Sequence, residues 1–246
     1  MAKNKLPVFD GTLRAHSIRL PEAVWKAKGM VIFGTRIKSV IFSTDLAIIR
    51  NCNADAVLAV YPFTPQQVIS QAIISGTSKP VLVGVGGGTT TGVRSVVMAK
   101  DAEAHGAFGV VVNGPMKNDT VSVIKRLIDI PIISTVLSAK TDIQARLDAG
   151  VSILNVSAGS KTADVVRKIR EDFPDVPIIA TGGPTAESIE RTIEAGANTI
   201  SYTPPSSAEI FEGMMKVYRE QAEQEDVTKG DTLSDKEILQ LLSKLE

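Results

Sequence analysis

Two adjacent glycines, Gly182 and Gly183, follow the apolar run VPIIAT and precede a segment with helical spacing. Glycine lets the backbone approach a ligand closely and adopt positive φ. Backbone N–H groups exposed beside a helix start suit a phosphate or another anion. We therefore predict that these two amides bind phosphate. The alternative is a tight strand-to-helix turn that contacts no ligand.

A second half of this phosphate site is expected after the last apolar run, NTISYT. Two serines stand there at the expected start of a helix, whereas the preceding Pro204 and Pro205 lack N–H donors. In (β/α)8 barrels, the loop after the seventh strand and a helix start after the eighth commonly hold phosphate together. The predicted contacts at these two loops are Thr181, Gly182, Gly183, Thr203, Ser206 and Ser207.

Other loops that follow apolar runs are also rich in glycine, serine and threonine, and they carry lysines but few acids. Backbone N–H groups, hydroxyls and ammonium groups together favour an anionic ligand, although ordinary polar turns have a similar composition. The additional binding candidates are Gly86, Gly87, Gly88, Asn113, Ser157 and Lys161.

Two residues are candidates for catalysis. Lys117 stands four residues beyond Asn113 and could form an imine with a carbonyl, which requires a neutral amine. It could equally be a solvated loop lysine or a phosphate contact. Asp45 could act as a general base, but Ser43-Thr44-Asp45 also has the composition of a helix N-cap.

The sequence favours neither a metal nor another cofactor. No cluster of histidines and carboxylates accompanies the candidate residues, so no metal ligand set is expected. The stretch GGTTTG at 87–92 has the outer glycine spacing of a P-loop, but Val93 and Arg94 stand where lysine and Ser/Thr are required. The one cysteine, Cys52, excludes an intramolecular disulfide.

Eight apolar runs separated by helical patterns must position these loops. The runs begin near residues 37, 56, 80, 107, 130, 151, 177 and 198, and most are continuously apolar, as in parallel strands covered on both faces. The repeat predicts an α/β fold, a single (β/α)8 barrel over residues 1–222, with an extra helix within 13–30. A linker at 223–233 and an amphipathic helix at 234–246 follow, and this helix packs on the barrel or on a second subunit.

Charge and length narrow the function classes. The 246 residues include 27 basic and 27 acidic side chains, which argues against a nucleic-acid or membrane-surface protein. No apolar run approaches the ~18 residues of a membrane span, and the N-terminal residues do not resemble a secretory signal. We expect a cytoplasmic protein whose partner is a small molecule.

Residues 130–203 resemble 2-keto-3-deoxy-6-phosphogluconate aldolase and, more loosely, ribulose-phosphate-binding barrels such as thiamine-phosphate synthase. The resemblance rests on IPIISTVLSAKTDIQARLDAGVSILNVSAG and FPDVPIIATGGPTAESIERTIEAGANTI, including the Thr181-Gly182-Gly183 triplet. It implies a (β/α)8 barrel that holds phosphate at the triplet. The Schiff-base lysine of the aldolase would align near Leu154, and leucine cannot form an imine.

The resemblance and the loop composition together predict an enzyme acting on a small phosphorylated metabolite, either an aldolase-type carbon–carbon lyase or an isomerase. Two alternatives stay open. One is a phosphate-linked transferase similar to thiamine-phosphate synthase, and the other is a non-catalytic barrel that binds a phosphometabolite for regulation.

Overall fold

The computed structural model describes residues 17–225. Its strands are β1 (Met30–Ile32), β2 (Thr35–Ile37), β3 (Ser39–Phe42), β4 (Ala56–Ala59), β5 (Val81–Gly86), β6 (Gly109–Val112), β7 (Ile132–Val136), β8 (Ile153–Val156), β9 (Ile178–Thr181) and β10 (Thr199–Tyr202). Its α-helices are α1 (Leu46–Arg50), α2 (Gln67–Gly76), α3 (Val93–Ala104), α4 (Asn118–Leu127), α5 (Ile143–Asp148), α6 (Thr162–Asp172), α7 (Ala186–Glu194) and α8 (Ser207–Glu225).

Strands β3 to β10 form a closed barrel in which each strand pairs in parallel with the next and β10 pairs with β3. Their residues are nearly all buried, which explains why the runs are continuously apolar: one face meets the barrel interior and the other meets the helices. The eight predicted strands and the (β/α)8 fold are confirmed.

One apolar cluster defines the inner face of the barrel, because it collects residues from seven consecutive strands. Successive side chains of a strand point to opposite faces, so residues two positions further along face inward as well. The inner residues are Val40 of β3, Ala56 and Leu58 of β4, Leu82 of β5, Val111 of β6, Ile133 of β7, Ile153 of β8 and Ile179 of β9.

A β-hairpin closes the N-terminal end of the barrel. Ile32 of β1 and Ile37 of β2 belong to the inner cluster, and the Ile37 carbonyl accepts a hydrogen bond from Thr199 Oγ1 at 2.7 Å. The turn consists of Phe33 and Gly34 with φ values of 46° and 78°, as a two-residue type I′ turn requires. The predicted extra helix is a 3-10 turn, Glu22–Lys26, beside α7, and the hairpin was not predicted.

The described residues from Pro205 onward, which include α8, belong to a unit separate from the barrel. Several large apolar side chains of α8 are exposed, among them Phe211, Met214 and Tyr218. The predicted helix at 234–246 and most of the predicted linker lie outside the described residues. No helix between residues 17 and 225 has both the length and the apolar character needed to span a membrane.

The role of the hairpin in closing the N-terminal end of the barrel can be tested by substitution. Replacing Ile37, which is 1% exposed, by alanine leaves a cavity in the inner cluster and should lower the free energy of unfolding by about 2–4 kcal/mol. Val31→Ala in the same hairpin is the control, because Val31 is 67% exposed and its change should stay within about 0.5 kcal/mol. Urea denaturation measures both. Similar losses of unfolding free energy in the two variants would contradict the role of the hairpin in closing the barrel.

Candidate active site

Polar side chains line the inner face at the carboxyl ends of β7 to β10. Thr135, Asn155 and Thr181 lie two positions beyond inner isoleucines, and Ser201 pairs in register with Thr181. Asn155 and Ser201 are buried, whereas the two threonines are partly exposed. We call Thr135, Asn155, Thr181 and Ser201 the inner polar layer. Its groups are neutral hydrogen-bonding groups on four adjacent strands.

Hydrogen bonds satisfy only part of the inner polar layer. Asn155 Nδ2 donates to Thr135 Oγ1 at 3.4 Å, and Thr181 Oγ1 donates to Ser157 Oγ at 3.3 Å, which adds Ser157 to the same surface. Asn155 Oδ1 is buried and has no hydrogen-bond partner among the described residues. A buried acceptor without a donor carries an uncompensated desolvation cost of about 1–3 kcal/mol.

The register corrects the alignment made from the resemblance. Leu154 is fully buried, but it alternates with the inward Ile153 and therefore faces the helices. The inward position of β8 near its carboxyl end is Asn155. An amide cannot form an imine either, so β8 does not supply a Schiff-base lysine.

A cavity of about 250 Å³ lies over the carboxyl ends of β4 to β6. Tyr61 and Phe63 form an aromatic wall, and the Tyr61 hydroxyl accepts a hydrogen bond from the Gln66 N–H at 2.8 Å. The predicted residues Gly86, Gly88 and Asn113 line this cavity. The mouth of the barrel thus has an aromatic and glycine-rich portion over β4–β6 and a hydroxyl-rich portion over β7–β10.

Two of the predicted loop glycines are explained by packing. A Cβ on Gly86 would lie 2.6 Å from the Thr90 carbonyl oxygen, and a Cβ on Gly87 would lie 2.6 Å from the Asn113 nitrogen. The Gly87 N–H already donates to the Thr90 carbonyl at 2.8 Å. Gly88 is exposed and has open space around it, so a ligand can approach its backbone.

The two glycines after β9 differ from each other. The Gly182 N–H donates to the Ser201 carbonyl at 3.3 Å, and a Cβ there would lie 2.8 Å from both Ile189 and Ile200. Gly182 therefore allows α7 to pack closely on the sheet, and its amide is not available for phosphate. Gly183 has φ 82°, and its N–H makes no hydrogen bond within residues 17–225. Of the predicted amide pair, Gly183 alone remains a phosphate candidate.

The serines after β10 already serve their own helix. Ser206 N–H and Ser206 Oγ both donate to a Glu209 carboxylate oxygen at 2.7 Å, and the Glu209 N–H donates back to Ser206 Oγ at 3.2 Å. The Ser206 N–H lowers the pKa of Glu209, since it stabilises the charged form. Ser207 is the first residue of α8, and Thr203 is exposed. The Ser206 amide is therefore occupied by a carboxylate of the same chain.

The charged candidates lie on the rim. The side chains of Lys117, Lys140 and Lys161 are exposed on the loops after β6, β7 and β8. Asp45 Oδ1 accepts hydrogen bonds from the Ala47 and Ile48 N–H groups, so Asp45 is the N-cap of α1. The three lysines thus lie on loops that follow adjacent strands of the barrel, whereas Asp45 acts first as a helix cap.

A buried arginine holds the loop that carries Lys117. Arg146 of α5 is 8% exposed, and its guanidinium donates to the carbonyls of Gly114 and Met116 and to Asn118 Oδ1. Burial lowers the pKa of Arg146, because the charged form loses hydration. Arg146 was not among the predicted site residues, since its role depends on carbonyls about 30 residues away in sequence.

Comparison with known proteins gives a fold and no family. No protein-family model matches the chain, and no curated protein matches its sequence. A phosphonopyruvate hydrolase structure in complex with oxalate and Mg++ is similar, with a TM-score of 0.58, 15% identity and coverage of 87% of this chain and 92% of that one. A 2,3-dimethylmalate lyase structure is similar with a TM-score of 0.56 and 14% identity, and the match covers 93% of this chain and 92% of that one. Thiamine phosphate pyrophosphorylase from Pyrococcus furiosus is similar with a TM-score of 0.50 and 17% identity, and the match covers 67% of this chain and 84% of that one.

These similarities agree with the barrel described above and with the fold that the sequence resemblance implied. The hydrolase structure contains a magnesium ion, which prefers carboxylate and other oxygen ligands. Within the described part of this chain, no three His, Cys, Asp or Glu residues are grouped so that they could hold a metal ion. The inner polar layer of hydroxyls and one amide therefore does not fit a metal site built from carboxylates.

The role of Arg146 is testable by substitution. Arg146→Met keeps the side-chain volume but leaves two carbonyls and the Asn118 amide oxygen without a donor, and it should lower the free energy of unfolding by about 2–3 kcal/mol. Hydrogen exchange should also speed up in residues 113–118. Arg167→Met removes an exposed ion pair with Asp164 and should cost under about 1 kcal/mol. Unchanged hydrogen exchange in residues 113–118 of the Arg146→Met variant would contradict the role of Arg146 in holding this loop.

Proposed function

We propose that this barrel is an enzyme that binds a small phosphorylated metabolite at the carboxyl ends of its strands and catalyses lyase or isomerase chemistry next to a carbonyl. Active sites of (β/α)8 barrels lie at this end. Structures of similar fold include a hydrolase of phosphonopyruvate and a lyase of 2,3-dimethylmalate, both named for small anionic substrates. Their fold supports the class of substrate, and the reaction has to be argued from the residues of this chain.

One observation carries the proposal: β7 and β8 contribute Thr135 and Asn155 to the inner polar layer, and the loops that follow these two strands carry the exposed residues Lys140 and Lys161. The acid on the loop after β7, Asp142, accepts a hydrogen bond from the Ala145 N–H and caps α5.

A doubly negative phosphate would find three kinds of donor at this place. The ammonium groups of the rim lie above it, the hydroxyls of Thr181 and Ser157 lie below it, and the Gly183 N–H makes no hydrogen bond in the described structure. The aromatic cavity over β4–β6 would hold the remainder of the substrate.

Within this proposal, Lys117 and Asp45 stay candidates for the chemical step. Lys117 precedes α4 on the loop that Arg146 fixes, so its backbone position is well defined even though its side chain is exposed. An imine at Lys117 would form when Nζ attacks a carbonyl carbon and water leaves, and it would then accept electrons from the adjacent carbon–carbon or carbon–hydrogen bond. Asp45 could accept the proton only in addition to its capping role.

A non-catalytic, regulatory phosphometabolite barrel is the second candidate function. It is favoured by the fact that the inner polar layer contains only neutral groups, which bind and orient a ligand but do not exchange protons near neutral pH. A phosphate-linked transferase is a third, because thiamine phosphate pyrophosphorylase shares the fold. A homo-oligomer formed through residues 234–246 and a cytoplasmic location both stay predictions.

The phosphate site can be tested by calorimetry with glycerol 3-phosphate. Thr181→Val removes one hydroxyl without changing the side-chain volume and should weaken binding about tenfold. Lys161→Met should weaken it severalfold at low salt and less at high salt. Lys168→Met is the matched control, since Lys168 lies on α6 and forms an ion pair with Glu171. Equal affinity in the Thr181, Lys161 and Lys168 variants would contradict the proposed location.

Catalysis through an imine is tested separately. Incubation with dihydroxyacetone phosphate and borohydride should convert the Lys117 amine into a stable secondary amine, found by peptide mass spectrometry. Lys117→Arg should remove the label because guanidinium does not form the imine. Tight binding of the phosphate without any labelled lysine would favour the regulatory barrel over the imine-forming lyase.

A further inference from the structure

The unpartnered oxygen of Asn155 is the most informative feature of the inner polar layer. Asn155 is 7% exposed and lies on the inner face of β8, where its Nδ2 donates to Thr135 Oγ1. Its Oδ1 accepts nothing among the described residues. Buried polar groups in folded proteins almost always have partners, so a buried acceptor facing a ligand site implies a partner that comes from outside the chain.

Two other buried groups without partners show why the position of Asn155 matters. Ser134 Oγ lies on β7 and alternates with the inward Ile133 and Thr135, so it faces the helix layer. Ser70 Oγ lies on α2, outside the strands. Neither can meet a molecule in the barrel mouth. Of these three groups, Asn155 Oδ1 is the one that faces the region where the substrate is proposed to bind.

The chemistry of the site limits what this partner can be. An amide oxygen only accepts hydrogen bonds, so the partner must be a donor. The exposed lysines of the rim disfavour a cationic donor, because like charges repel. A hydroxyl group is a neutral donor that is compatible with an anionic molecule.

We propose that Asn155 is a specificity-determining residue that accepts a hydrogen bond from a hydroxyl of the substrate. The inference rests on the proposed function and deepens it: the substrate class becomes hydroxylated phosphates, such as sugar or polyol phosphates, rather than phosphates with a purely apolar or keto chain. A site that hydrogen-bonds a hydroxyl discriminates strongly against an analogue that lacks it, since the buried group is then left unpaired.

Two probes of matched size separate the hydroxyl contact from the phosphate contact. Glycerol 3-phosphate carries hydroxyls, and propyl phosphate has the same chain length without them. The wild-type protein should bind glycerol 3-phosphate at least tenfold more tightly than propyl phosphate. Asn155→Leu should reduce the affinity for glycerol 3-phosphate to that for propyl phosphate. The affinity of the variant for propyl phosphate should stay within about twofold of the wild-type value.

Thermal unfolding supplies a second readout that a structural asparagine would not give. Removing an acceptor that lacks a partner should leave the Tm of Asn155→Leu equal to that of the wild type or higher, because the residue is kept for the ligand. Ser134→Ala is the control: it removes a partnerless hydroxyl on the helix side and should change neither affinity.

The outcomes distinguish the inference from the proposed function. If propyl phosphate binds and Asn155→Leu leaves the ratio of the two affinities unchanged, the role of Asn155 is wrong while the phosphate site stands. A marked fall in Tm with unchanged binding would show that Asn155 is structural. If neither phosphate binds the wild-type protein, the proposed phosphate site fails and the hydroxyl contact fails with it.

Discussion

Alternation of side chains along the strands of a closed parallel barrel is the constraint on which the rest of this structure depends. Each barrel residue faces either the interior or the helices, and a shift by one position exchanges the two faces. The inner isoleucines of β7, β8 and β9 fill the interior and fix the register. The next inward positions are then Thr135, Asn155 and Thr181, where the barrel opens. The same alternation that packs the core thus also positions the polar groups of the mouth.

The strands could be predicted from the sequence, because continuous apolar runs between helical patterns are typical of parallel strands covered on both faces. The hairpin β1–β2 could not, since its strands have three residues each and its turn is Phe-Gly rather than the usual Asn-Gly. The sequence pattern predicted an extra helix within 13–30 and gave no signal of a hairpin at the N-terminal end of the barrel. The structure shows that Ile32 and Ile37 close this end from the hairpin.

The candidate site was predictable only in part, for a related reason. Sequence reasoning selected loop residues such as Asn113, Gly88 and Lys161, which stay candidates, whereas it did not select Asn155 and Ser201 inside apolar runs. A single polar residue within a buried strand is informative only when its face is known. The signal was present in β8, where Asn155 interrupts an apolar run two positions after Ile153. The register was needed to interpret it.

The roles of glycines are also difficult to predict from the sequence, because they depend on contacts in the folded chain. Gly182 and Gly183 are adjacent, yet Ile189 and Ile200 explain the first, and the second keeps a free amide within the described residues. These contacts form only in the folded chain, so a glycine pair in the sequence indicates either close packing or ligand approach without separating them.

The central claim is that a phosphate and a hydroxyl of one molecule bind together over β7–β10. The most direct measurement is an NMR titration with glycerol 3-phosphate that follows the Gly183 backbone amide and the Asn155 side-chain amide. We predict that both signals shift and give the same dissociation constant, while the Gly182 amide, which is bonded to Ser201, moves little. Shifts confined to residues around the β4–β6 cavity, with both reporters unchanged at saturation, would contradict this account.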